Sequence, residues 1–196
     1  AETIGALDGA GKVTLGANTL TVGGAAATEF SGVISGTGGL TLDKAAETDV
    51  FELSGNNTYT GTTTVTTGTL AVSSGGAIHN DGSVVVSGDS TLRVDASEDV
   101  GLLDGAGSVD LNGASVTLTV GSTVAGTADF SGAISGAGGL TMNGVGTQTL
   151  SGTNSYTGAT TVTTGTLQVT DGAAIADAGA VVVNGGTFAL LAHETI

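Results

Sequence analysis

Residues 53–72 read Leu-Ser-Gly-Asn-Asn-Thr-Tyr-Thr-Gly-Thr-Thr-Thr-Val-Thr-Thr-Gly-Thr-Leu-Ala-Val, and the same text returns with few changes at residues 150–169. Leu53, Tyr59, Val65, Leu70 and Val72 correspond to Leu150, Tyr156, Val162, Leu167 and Val169, each 97 positions further on. Asn57 corresponds to Asn154, and Gly55, Gly61 and Gly68 correspond to Gly152, Gly158 and Gly165. A chain that repeats itself must give each copy similar surroundings, and stacked supersecondary units do so most directly. Inside the repeat, apolar residues alternate with threonine and glycine closes each short run, which is the pattern of strand, turn and strand.

The repetition covers most of the chain. Phe30–Leu42 returns as Phe130–Met142, Ile4–Gly11 as Val100–Gly107, and Ala77–Val86 as Ala174–Val183, with offsets of 100, 96 and 97. These offsets predict two super-units, roughly 1–96 and 97–196, separated in phase by small loop insertions such as Lys44–Asp49. At shorter range, apolar pairs such as Leu20/Val22, Leu40/Leu42, Phe51/Leu53, Leu70/Val72, Leu92/Val94 and Val109/Leu111 form two interleaved series. Neighbours in a series lie 17 to 23 positions apart. That spacing suits one coil of a three-faced parallel solenoid, in which both members of a pair point inward and the residue between them faces water. The expected fold is all-β: one continuous parallel β-helix over residues 1–196, with about ten coils of roughly 20 residues, about five to each super-unit. Corners are expected at Asp8-Gly9, Gly38-Gly39, Asp81-Gly82, Asn112-Gly113, Asn143-Gly144 and Asn184-Gly185, dipeptides that accept positive φ. The same conformation is expected at Gly61 and Gly158, just after the tyrosines. An antiparallel sandwich or barrel also gives short strands, but it offers no reason for identity at 97 residues.

Composition excludes several classes. Only Lys12, Lys44 and Arg93 are basic against eighteen acids, a formal net charge of −15, which excludes a nucleic-acid partner and disfavours an anionic membrane surface. No apolar run approaches the ~18 residues of a membrane span, so no direct membrane insertion is expected. Disorder is countered by a mean hydropathy of +0.35 and regular β-branched alternation. The absence of proline suits a chain whose strands are nearly all central, since each proline removes a ladder donor. The absence of cysteine removes disulfides and thiolate chemistry. The chain opens in mid-pattern, as an excised piece of a longer protein would.

Residues 150–169 and 53–72 resemble the autotransporter-associated β-strand repeat, also called the passenger-associated transport repeat. The flanks Phe130–Leu140 and Ile4–Leu20 are similar to segments that accompany this repeat in very long bacterial surface proteins. The resemblance implies a right-handed, single-stranded β-helix from the passenger of a type V secreted protein. It implies an extracellular position on the bacterial surface and export across the outer membrane through a C-terminal β-barrel translocator of the same parent chain. It further implies a part in adhesion, aggregation or biofilm formation of the kind found in virulence-associated adhesins. The lead-in over Leu42–Gly55 departs from the family pattern by an acidic insertion carrying Glu47, Asp49 and Glu52.

Each candidate for chemistry has a plainer reading beside it. Asp95, Glu98, Asp99 and Asp104 form the densest acidic stretch and could supply oxygens to Ca²⁺, but a solvated loop explains them as well. Gly88-Asp89-Ser90 faintly resembles a serine-protease nucleophile motif, with His79 or His193 as the base, yet the copy of this stretch reads Gly185-Gly186-Thr187. Polysaccharide-lyase chemistry needs cations and a base that three scattered basic residues do not provide. Thr-x-Thr at Thr19/Thr21, Thr64/Thr66, Thr117/Thr119 and Thr161/Thr163 could bind ice only as an unbroken double row; ordinary strand threonines are the simpler reading. Tyr59 and Tyr156 are either exposed anchors for a ligand or corner residues with a packed ring and a wet hydroxyl. No catalytic, metal or cofactor residue is expected. The functional expectation is a stalk and export segment; the alternatives are an adhesive segment, binding a host-cell or self-association ligand through its acidic insertion or tyrosines, and a polysaccharide-acting enzyme. Glu194-Thr195-Ile196 repeats Glu2-Thr3-Ile4, which predicts a weak head-to-tail contact between copies, opposed by charge and promoted by salt.

Overall fold

The computed structural model describes residues 1–121, 125–170, 173–175 and 179–191. Among them the alternating stretches form 24 short strands and no helix. Every strand pairing is parallel, as it must be when successive runs stack turn upon turn. The chain is a β-solenoid of about nine turns with a spacing of ~21 residues. At about 4.8 Å per turn the rod is roughly 43 Å long.

Three faces make up the coil. The first is a ten-stranded sheet that begins with Glu2–Ile4, Leu20–Val22, Leu40–Asp43 and Thr63–Thr67 and ends with Thr147–Leu150, Thr166–Val169 and Thr187–Leu190. The second is a six-stranded sheet from Thr28–Phe30 to Ala133–Gly136, including Val50–Leu53, Thr69–Val72, Thr91–Val94 and Ser108–Leu111. The third position in the coil holds two shorter sheets in succession. Lys12–Gly16, Val33–Gly36 and Thr58–Tyr59 form one, and Glu98–Val100, Thr117–Val120, Gly139–Met142, Thr160–Val162 and Val181–Val183 form the other.

Register follows from the two-residue period of a strand, because a slip of one position would turn every core residue outward. Leu20 stands beside Leu40, Leu70 beside Phe51 and Leu92, and Leu118 beside Leu140. Inward residues from the three faces meet in one apolar core, with Val22, Ile34, Phe51, Leu53, Val65, Leu70, Leu92, Leu118 and Val162 all fully buried. Turn length varies where loops are inserted, from 17 residues between Leu92 and Val109 to 25 between Gly105 and Phe130.

The corners correct one expectation. Among the six dipeptides, positive φ occurs only at Gly9 and Gly113, and neither Gly61 nor Gly158 has it. Gly61 is needed for a different reason: a Cβ there would lie 2.5 Å from the carbonyl carbon of Gly38 in the preceding turn, and one at Gly158 would meet Gly138 as closely. Successive corners therefore approach backbone to backbone. Of the motif glycines, Gly68 and Gly165 are the pair with positive φ, at 91° and 71°.

Two outcomes follow from this packing. Leu70→Ala deletes a core side chain between Phe51 and Leu92 and should cost about 2–5 kcal/mol in chemical denaturation. Its loss of hydrogen-exchange protection should concentrate in residues 50–94, since turns touch only their neighbours; uniform loss along the chain would contradict the solenoid core. Gly158→Ala should lower stability by more than about 2 kcal/mol through the Gly138 contact alone, and an unchanged unfolding midpoint would refute that contact.

Candidate functional site

The motif residues are spent inside the rod. Leu53, Leu70 and Val72 point inward from the second face, Val65, Leu150, Leu167 and Val169 from the first, and Val162 from the third; each is at most 1% exposed. Gly55 and Gly152 lie against the backbone of Gly32 and Gly132 one turn earlier. Tyr59 and Tyr156 are buried with 0% exposure, which overturns the reading of a wet hydroxyl as well as that of a ligand anchor. The Tyr59 hydroxyl shares a 2.7 Å hydrogen bond with the buried Thr63 hydroxyl, and Tyr156 pairs with Thr160 in the same way. Burial raises the Tyr59 pKa above its ordinary value.

Asn57 and Asn154 take the place of missing strand pairs. After Thr58–Tyr59 the third face has no strand in the following turn, over residues 73–83. Asn57 Oδ1 accepts from the Ile34 amide at 2.7 Å, and Asn57 Nδ2 donates to the Ala77 carbonyl at 2.7 Å. Asn154 repeats both contacts, with the Ile134 amide at 2.7 Å and the Ala174 carbonyl at 2.6 Å. A side-chain amide carries a donor and an acceptor like a peptide unit, so it continues the ladder where the backbone does not.

The next turn completes this column with Glu98, which is 1% exposed. Its Oε1 accepts from the Ile78 amide at 2.6 Å and its Oε2 from the Ala77 amide at 3.3 Å. Burial pushes its pKa from 4.5 up to about 8, with the Asp99 charge adding to the rise and the two amide bonds opposing it. Glu98 is thus no part of a solvated acidic loop. It stands two residues before Val100, so strand phase places it inward; that phase was its signal in the sequence. The same phase governs Gln148, two before Leu150, where the first copy has Phe51. Gln148 is fully buried and pairs with both the amide and the carbonyl of Leu103, at 2.9 and 2.7 Å.

The remaining candidates do not converge. Asp95 binds Arg93 Nε at 2.9 Å and Asn112 Nδ2 at 2.6 Å, while Asp99 faces outward on the third face and Asp104 on the first. No group of three or more metal-ligating side chains exists among the described residues. Ser90 is buried and donates to the Val65 and Ser87 carbonyls, His79 accepts from the Asp81 amide, and His193 lies outside the described residues with Glu194–Ile196. The acidic insertion is anchored: Lys44 is 3% exposed and its Nζ donates to the carbonyls of Gly23 and Ala26, while Asp49 accepts from the Ala46 amide. A cleft of about 390 Å³ beside the third face is lined by Asn80, Asp81, Asp99, Thr119, Asn143 and the exposed Val145.

The description of the passenger-associated transport repeat matches residues 35–72 and 140–169, the two stretches built around Tyr59 and Tyr156. The chain carries that repeat. It is also 37% identical over 172 residues, 80% of its length, to a protein of Brucella suis biovar 1 (strain 1330) named adhesin BmaC autotransporter, of which it spans 5%. No solved structure matches it. In both copies of the repeat the invariant asparagine and tyrosine are corner residues of the core.

Glu98 gives the repeat-bearing rod a pH dependence. Its folded pKa lies above the unfolded value of 4.5, so the stability it contributes is complete below pH 4.5 and lost as pH rises through about 8. Stability should fall between those limits by up to roughly 1.4 kcal/mol per pH unit. Denaturation midpoints measured from pH 4.5 to 8.5 should decline in the natural chain and stay nearly flat in Glu98→Gln. A decline of equal size in both would assign it to another group.

Proposed function

We propose that this chain is a structural segment of an autotransporter passenger, a length of stalk that holds other parts of the parent protein away from the bacterial outer membrane. The observation that carries this reading is where the repeated residues go. Leucine, valine, tyrosine, asparagine and glycine of both motif copies fill the core or the corners, so the repetition encodes stacking. The repeat and the relative's autotransporter name support an extracellular position and a parent chain with its own barrel translocator. Turn-by-turn folding outside the cell would oppose return through the barrel, because each new turn finds a finished template. The reading is non-enzymatic and needs no cofactor.

The second reading, an adhesive surface, draws on the relative's name and on one contrast between the copies. The outward positions Glu29, Glu52 and Arg93 of the second face correspond in sequence to Asp129, Thr149 and Ala189, so surface chemistry varies while the core repeats. A varied surface can acquire a ligand without disturbing the fold.

The two readings separate in one experiment. The purified segment should show no saturable binding to host or bacterial cells and should not compete with an adhesive autotransporter. Fused upstream of a barrel translocator, it should appear on the cell surface as a protease-resistant rod, in amounts reduced by Leu70→Ala. Saturable binding lost on deleting residues 45–48 would establish the adhesive reading instead, and normal display of an unfolded variant would remove the export role.

A further inference from the structure

The repeat does not sit on the same face in its two copies. Val65 lies on the first face in Thr63–Thr67, whereas Val162 lies on the third in Thr160–Val162. Leu70 and Val72 belong to the second face, while Leu167 and Val169 belong to the first. Leu40 and Leu42 move from the first face to Leu140 and Met142 on the third, and Ile34 from the third to Ile134 on the second. All of these shifts have the same sense. A super-unit of 97 residues with turns of ~21 contains about four and two-thirds turns rather than five.

We infer that the super-unit is a screw element: each one places the next a third of a turn round the rod and roughly 22 Å along it, so that three restore the original face. This goes beyond the stalk reading and does not require it. The joint between the copies shows how the shift is accommodated. Leu103–Gly105 corresponds in sequence to Leu7–Gly9, and Gly105 pairs with Phe130 just as Gly9 pairs with Phe30, but on the first face instead of the second. That pairing is a single residue wide, and the Gln148 amide binds the Leu103 amide and carbonyl left beside it. The faces are interchangeable because each asks for the same inward apolar pair two residues apart.

The surface consequence is visible in the threonines. Thr3, Thr21, Thr41 and Thr64 stack in one outward column on the first face and are followed by Val85. Their counterparts Thr119, Thr141 and Thr161, followed by Val182, stack on the third. The Thr-x-Thr doublet is broken at Thr41, flanked by Gly39 and Asp43, so this is a single hydroxyl column and no double row. A series of such units presents the same column on all three sides in rotation. A partner that reads it meets the rod from any direction, whereas a five-turn unit would confine it to one side.

The chain contains no cysteine, so engineered pairs report neighbours cleanly. Val85 of the first unit and Asp104 of the second are outward neighbours on the first face, so Val85→Cys with Asp104→Cys should close a disulfide on mild oxidation. It should close as fully as Thr41→Cys with Thr64→Cys, whose positions are direct neighbours. Val85→Cys with Asp99→Cys should stay reduced, because Asp99 lies beside Thr119 on the third face. A five-turn unit would instead return residues 98–100 to the first face, where their counterparts Glu2–Ile4 lie, and so bring Asp99 beside Val85. Closure of the 85/99 pair overturns the screw, and so does failure of the 85/104 pair where the 41/64 pair closes.

Discussion

The parallel backbone ladder from one turn to the next is the interaction on which the rest of this molecule depends. Each strand of two to five residues is too short to be stable alone, and it is held only because the turns above and below pair with it. The ladder also fixes which residues see one another, so leucine stacks on leucine or phenylalanine along columns parallel to the rod axis. Where the ladder lapses, at residues 73–83, side chains take over the pairing: on one side the Asn57 amide donates to the Ala77 carbonyl, and on the other the Glu98 carboxyl accepts from the Ala77 and Ile78 amides. An unpaired buried amide costs about 1–3 kcal/mol, which favours a carboxyl group inside the core at this corner.

Close approach of corners is the second constraint. The glycines after Tyr59 and Tyr156 serve distance rather than dihedral freedom, because the chain turns where two backbones already touch. The tyrosines then fill the space beneath the corner, and Thr63 or Thr160 satisfies the hydroxyl that burial would otherwise leave unpaired. Asparagine, tyrosine, glycine and threonine of the motif are therefore one packing unit, and their joint recurrence needs no ligand to account for it.

Charge has been kept almost wholly on the outside. Glu29 and Glu52 stand beside each other on the second face, where Ser54 and Ser73 each donate to one of them at 2.6 Å. A rod with so many surface carboxylates and so few cations repels its own kind and nucleic acid alike.

The sequence by itself determined the strand phase, the turn length, the parallel solenoid and the likeness to passenger repeats. These rest on alternation and on spacing along one chain, which are local and reinforce one another over many turns. It marked Glu98 and Gln148 as inward only through their distance of two from Val100 and Leu150, a signal easily outweighed by their polarity. The tertiary structure alone decided which face each copy occupies, that the tyrosine hydroxyls are dry, and that Gly61 and Gly158 are there for contact. Each of these is set by a partner about one turn away, across a cross-section whose three sides demand the same inward pattern; residues that satisfy all three sides equally carry no mark of the one they take.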